Sequence, residues 1–189
     1  MHKSFTSGKS GAIGAFLAVL FFVVFMTLGF VQPEHSHMRN TISSLVLGEY
    51  GWVQTLNFFV LSASVAFIGF GLGKEISGKK HNSTFLASLF FSACVIFIAL
   101  VPTDKTDPRE LISFAKLSYM ARIHHLFVLG MILITPFMLL DVLRKIRKNK
   151  EWLSIIAFTY YVLFFNFSVG ISWYVLVNFE NITNTKGVK

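Results

Sequence analysis

Residues 11–31 read GAIGAFLAVLFFVVFMTLGFV, with no charged side chain anywhere in the run. A helix rises about 1.5 Å per residue, so roughly 20 residues cross a hydrocarbon core about 30 Å thick. A helix on the surface of a soluble domain would carry a polar face, its apolar residues recurring every third or fourth position. This run is apolar on all sides. Its solvent is lipid.

Four more runs repeat the pattern, at 53–73, 84–101, 123–143 and 152–177. Composition agrees: 54% of the residues are hydrophobic, 16% aromatic and only 14% charged, with 22 phenylalanines among 189 residues. Water would aggregate a chain exposing that much apolar surface, whereas a bilayer accepts it. The expected fold is an all-α integral membrane protein, a five-span helical bundle in one domain covering 1–189. No internal repeat, low-complexity tract or long linker divides it. The first run follows a short basic start but is too long for the core of a signal peptide, and no small-x-small cleavage site follows it, so it reads as a retained span.

The net charge of +8 raises the question of nucleic acid. Its distribution answers no, because the excess sits in short loops beside the apolar runs, where it orients membrane proteins. Lys3 and Lys9 precede the first run, Lys74, Lys79 and Lys80 follow the second, and Arg144, Lys145, Arg147, Lys148 and Lys150 follow the fourth. The opposite side carries Arg39, Lys105, Arg109, Lys116, Arg122, Lys186 and Lys189, offset by most of the acids. Density in the short second and fourth loops decides the orientation. The amino terminus is cytoplasmic, and five spans leave the carboxyl terminus outside. The basic inner loops suit anionic headgroups. Trp52, Trp152 and Trp173 stand near span ends, where indoles anchor at headgroup level. The single cysteine, Cys94, lies within the third run, which removes disulfide frameworks and cysteine metal sites.

Both external loops are more than connectors. In 32–52, Pro33 ends the first helix, and 38–47 mixes apolar and polar residues at helical spacing before Gly48, a good helix terminator. In 102–122, Asp107, Pro108 and Glu110 form a helix-start signature, predicting a helix through Leu111, Ala115 and Ser118 into the fourth span. Pro136 removes one backbone hydrogen bond within that span and predicts a kink.

Topology brings the residues best suited to chemistry to one depth outside: His35, His37, Ser43, Ser44, Asp104, Arg122, His124 and His125. His35 and His37 can supply two zinc ligands, and Asp104 with His124 can complete the shell; catalytic zinc needs three protein ligands plus an open position for water, and the residue types suffice. Ser43 with His124 as base and Asp104 as orienter has the residue types of a serine nucleophile, without an elbow or oxyanion loop. The bland alternative is an Asp–His or Asp–Arg pair tying spans three and four together. Within the membrane, Asn57, Asn166 and the i, i+4 pairs Ser88/Ser92 and Ser168/Ser172 stand out. They read first as helix packing, as does Gly69-xxx-Gly73; a polar cavity for a headgroup or small solute is the functional alternative. Asp141 reads as a surface ion pair with Arg144 and Lys145. No Lys, Arg, Asp or Glu lies near a span midpoint, which disfavours a proton pump or coupled transporter. Asn181-Ile-Thr forms a glycosylation sequon on the external tail, meaningful only in a secretory-pathway host.

The stretch TISSLVLGEYGWVQTLNFF at 41–59 resembles the signature of the domain-of-unknown-function 998 family, small multi-pass membrane proteins found mainly in bacteria and archaea. Val101-Pro-Thr-Asp104 and Arg122-Ile-His-His-Leu126 match it further along, so the likeness spans nearly the whole chain. The resemblance implies a helical bundle in a prokaryotic cytoplasmic membrane, and singles out Ile42, Ser43, Leu45, Gly48, Gly51, Pro102, Asp104 and His124. Two departures stand beside it. Ser44 occupies a position where the family pattern has an acid, and the pattern's sixth span is missing, leaving either a truncated chain or a five-span protein. The leading expectation is a protein without catalysis of its own that binds a lipid or a membrane-protein partner through its external face. A membrane-embedded, metal-dependent hydrolase of a lipid-like substrate and a small-solute transporter are the alternatives.

Overall fold

A computed structural model describes residues 5–33, 35–36, 40–77, 82–105 and 116–146. The fifth apolar run, the Asp107-Pro108 signature, His37, Asn166, Ser168, Ser172 and the sequon lie outside those residues, so the five-span, single-domain expectation extends beyond them. The chain divides into two compact units, Met1–Lys145 and Ile146–Lys189. The elements described lie in the first, up to the last residue of α4.

Four α-helices and one short 3-10 segment make up the described part: α1 Phe5–Val31, η1 Ile42–Leu47, α2 Gly51–Ser77, α3 Ser83–Leu100 and α4 Tyr119–Ile146. All four α-helices are long and apolar enough to cross a membrane, over Gly8–Val31, Gly51–Glu75, Ser83–Leu100 and Tyr119–Val142. This is an all-α membrane bundle. A spanning helix satisfies its own backbone groups, which hydrocarbon cannot do.

Paired residues give the topology. Along α1 and α2, Asn57 meets Phe21 and Ser64 meets Gly14. Along α2 and α3, Ser62 meets Ser92 and Gly69 meets Ser88. Along α3 and α4, Val101 meets His124 and Thr84 meets Asp141. In each pair one number rises as the other falls, so successive helices are antiparallel. The apolar centre is Phe58, Val95, Ile98 and Ala99, with Phe21, Ile42, Val46, Phe127, Val128 and Met131 packed against it.

Polar side chains join the helices inside the membrane. Ser62 Oγ donates to the Ser92 carbonyl at 3.1 Å and Ser92 Oγ returns a bond to the Ser62 carbonyl at 2.8 Å. Asn57 Nδ2 donates to the Phe21 carbonyl at 3.0 Å, and Ser64 Oγ to the Gly14 carbonyl at 2.7 Å. A side chain on Gly69 would collide with Ser88, so this glycine sets how closely α2 and α3 approach. The packing reading of Asn57, Ser88, Ser92 and Gly69 matches these contacts.

Two local expectations need correction. The helix expected to run from Asp107 into the fourth span is interrupted, because residues 116–118 are not α-helical and α4 begins at Tyr119. Ser118 caps it, and an N-cap residue has non-helical backbone angles. The segment expected at 38–47 is shorter and tighter, a 3-10 turn at Ile42–Leu47 that does end at Gly48. Asp141, expected to pair with Arg144 and Lys145, whose side chains lie outside the described ones, has partners at the start of α3. It accepts from Ser83 Oγ at 2.8 Å and Thr84 Oγ1 at 2.6 Å, which sets its negative charge at the positive end of the α3 dipole. α4 stays helical through Pro136.

Candidate functional site

The end of the bundle that the lysine and arginine distribution assigns to the outside is closed by two loops. Both are held by side-chain bonds to backbone. α3 stops where Pro102 follows Val101, since the residue before a proline is pushed out of the helical region. Val101 takes φ −108° and ψ 106°, and its carbonyl faces α4 instead of a following N–H. His124 Nδ1 bonds that carbonyl at 2.7 Å. A carbonyl only accepts, so Nδ1 carries the proton. In the neutral ring the lone pair is then on Nε2.

Asp104 lies three residues further along and is partly exposed. Its two oxygens accept from one residue: Ser118 Oγ at 2.6 Å and Ser118 N–H at 2.8 Å. Ser118 Oγ in turn accepts from the Ala121 N–H at 3.1 Å, capping α4. The Ser118 hydroxyl, then its N–H, hold the Asp104 carboxyl below its ordinary value, with a smaller contribution from the charge of His125. Arg122 Nε donates to the Leu117 carbonyl at 2.9 Å. His125, exposed, bonds the Ala121 carbonyl through Nδ1 at 2.7 Å, its ring edge-on to that of His124 with centroids 5.7 Å apart.

In the other loop, Ser43 Oγ lies 3.1 Å from Thr41 Oγ1, and Ser44 Oγ donates to the Thr41 carbonyl at 2.7 Å. His35 Nδ1 is 3.5 Å from Ser44 Oγ. Gln32 Nε2 donates to the Leu45 carbonyl at 3.2 Å, tying the end of α1 to η1. Gly48 and Gly51 leave no room for a side chain: one would strike the Gln32 amide and the other the Val46 carbonyl. These are family-pattern glycines, and close approach is what requires them.

The candidate residues are therefore near one another in depth but bonded apart. Ser43 bonds Thr41, Asp104 bonds Ser118, and His124 bonds Val101, so no hydrogen bond links the three into a nucleophilic relay. Among the described residues no group of three His, Cys, Asp or Glu side chains converges as a metal shell. His37 lies outside them. Asp104 and His124 do tie spans three and four together, each through backbone or serine and neither through the other.

The family model described as "Protein of unknown function (DUF998)" matches residues 15–187. The chain belongs to that family. No curated protein and no solved structure matches it. The family stretch at 41–59 supplies η1 and the first turns of α2, and the two shorter motifs supply the Val101–His124 contact. Sequence reasoning missed Ser118 and Gln54. A serine directly before the apolar part of the fourth span is a capping signal for the first. A lone amide in the first turn of α2 signals the second. Gln54 is 0% exposed, with Oε1 accepting from Asn57 Nδ2 at 3.3 Å. Gln54 Nε2, Asn57 Oδ1 and His124 Nε2 are buried with no hydrogen-bond partner among the described residues. Each such atom costs about 1–3 kcal/mol while it stays unsatisfied.

Proposed function

We propose that this multi-pass membrane protein has no catalysis of its own and binds a lipid of the outer leaflet through its external face. The observation that supports this reading most directly is the commitment of Asp104 and His124 to the α3–α4 connection. Both Asp104 oxygens accept from Ser118, and the protonated nitrogen of His124 is spent on Val101. Residues occupied in this way shape a surface and do not form a relay. Around that surface Phe30, Trp52, Leu100 and Tyr119 are exposed at the outer ends of their helices, suited to acyl chains and headgroups. On the family resemblance and the loop charges, the membrane is the cytoplasmic membrane of a prokaryote, with the amino terminus in the cytosol.

A zinc-dependent hydrolase has one point in its favour. His124 Nε2 carries a free lone pair while Nδ1 is oriented by a carbonyl, the second-shell arrangement common to metal-binding histidines. Metal analysis and turnover separate the readings. Purified full-length protein should hold no stoichiometric zinc and release no product from lipid esters or amides, while Asp104→Ala and His124→Ala each lower the Tm in detergent. Zinc that is lost in either variant together with hydrolysis would establish the hydrolase instead.

A further inference from the structure

At the end of the bundle opposite the external loops, α3 and α4 enclose a cavity of about 310 Å³ lined by Ser83, Ala87, Phe137, Leu140 and Asp141. Two pairs of residues four apart make its walls. Ser83 and Ala87 share one face of α3, and Phe137 and Asp141 share one face of α4. Ser83 bonds Asp141 at 2.8 Å, so these two lie level with each other. The helices are antiparallel, which sets Ala87 and Phe137 together one turn deeper. The cavity is thus a slot, polar at one depth and apolar at the next. Its polar end coincides with the ends of two spans, Ser83–Leu100 and Tyr119–Val142, where headgroups meet hydrocarbon. Phe137 is 67% and Leu140 49% exposed, so the slot opens sideways to lipid.

We propose that this slot binds an inner-leaflet phospholipid through a primary ammonium headgroup. The ammonium donates to Asp141, and the first methylenes of the lipid lie along Ala87 and Phe137. Charge complementarity selects the headgroup. Ser83 and Thr84 both donate to Asp141 Oδ2, which orients the carboxylate, but hydroxyls bring no charge to it. One turn further toward the cytosol α4 carries Arg144 and Lys145. An acid followed by cations complements a zwitterion, an ammonium joined to a phosphate. Among zwitterionic lipids, only a headgroup that keeps an N–H can make a charge-assisted hydrogen bond to a carboxylate, and trimethylammonium keeps none. A purely anionic lipid sets a second negative charge against Asp141. The short Ala87 side chain leaves the deeper half of the slot open to an acyl chain. This site lies at the other end of the bundle from the external face and does not rest on the reading given to that face. Its assignment to the inner leaflet follows from the loop charges.

The test titrates purified full-length protein, stripped of lipid in detergent, with phospholipids of identical acyl chains, and native mass spectrometry counts the lipid bound. Phosphatidylethanolamine should bind about tenfold more tightly than phosphatidylcholine, the effect of one hydrogen bond to a charged group. Its N,N-dimethyl derivative retains one N–H and should keep most of that preference, so the loss comes with the third methyl. Phosphatidylglycerol should bind more weakly than phosphatidylethanolamine. Asp141→Asn removes the charge while keeping an acceptor for Ser83 and Thr84, and it should abolish the preference for ethanolamine over choline. Should this variant unfold, Ala87→Leu serves instead. It fills the slot without touching the bonds of Asp141, and it should abolish the same preference. Equal affinity for the ethanolamine and choline lipids overturns the proposal. So does tighter binding of phosphatidylglycerol, or a preference that survives both substitutions.

Discussion

Ser118 holds two jobs at once, since its hydroxyl donates to Asp104 and accepts from the first turn of α4. Ser118→Ala removes both. The loss should be about 1 kcal/mol, the usual value of an N-cap, measured by denaturant unfolding in detergent. A loss indistinguishable from zero would mean that the cap contributes nothing. Asp104 adds a pH dependence with a definite sign. Its carboxyl is held below the ordinary value by the two Ser118 bonds, so the stability it contributes is fully present above the ordinary carboxylate range. That contribution disappears as the pH falls through the lowered value. Wild type should therefore exceed Asp104→Asn in Tm at neutral pH, with the gap closing in acid. A gap independent of pH would show that the carboxylate charge plays no part.

Helix α2 sits between α1 and α3, and its two faces differ in how they hold their neighbours. Toward α1 it donates from Asn57 and Ser64 to backbone carbonyls, and toward α3 it exchanges serine bonds and presents Gly69. Gly69→Leu forces a side chain into Ser88 and should cost about 1–3 kcal/mol, the range for overpacking. Gly11→Ala is the matching control, since nothing lies within 4 Å of that position and little change is expected. Ser62→Ala removes an interhelical bond worth about 0.6 kcal/mol on average, and the Ser62→Ala, Ser92→Ala pair should show coupling in a double-mutant cycle. Additive losses would mean that the two serines do not act as a pair. The start of α4 belongs to this scale too. The Asp107-Pro108 signature is local, whereas the helix start depends on Asp104 reaching Ser118 from the end of α3. No single segment carries that information.

For the molecule as a whole, the loop charges predict that Glu49 and Lys105 lie outside and Lys9 and Glu75 in the cytosol. Cysteines placed singly at these positions should react with an impermeant maleimide in intact cells only at the first two. Labelling of Lys9→Cys from outside would invert the orientation and move the proposed lipid site to the inner leaflet. The membrane character, the four described helices and their approximate ends were legible in the sequence because membrane partition is a sum over consecutive residues, and each run carries its own sum. Which polar groups meet was not. A run that is apolar all round has no polar stripe to mark its inward face, so its rotation is set by contact with its neighbours. The depth shared by Asp104 and His124 was therefore readable from topology, while their separate partners, Ser118 and Val101, came only from the packed structure. The same holds for the exchange of Ser62 with Ser92 and for the burial of Gln54 against Asn57. Hydrophobic length is a property of a segment; hydrogen-bond partnership is a property of helices already turned toward one another.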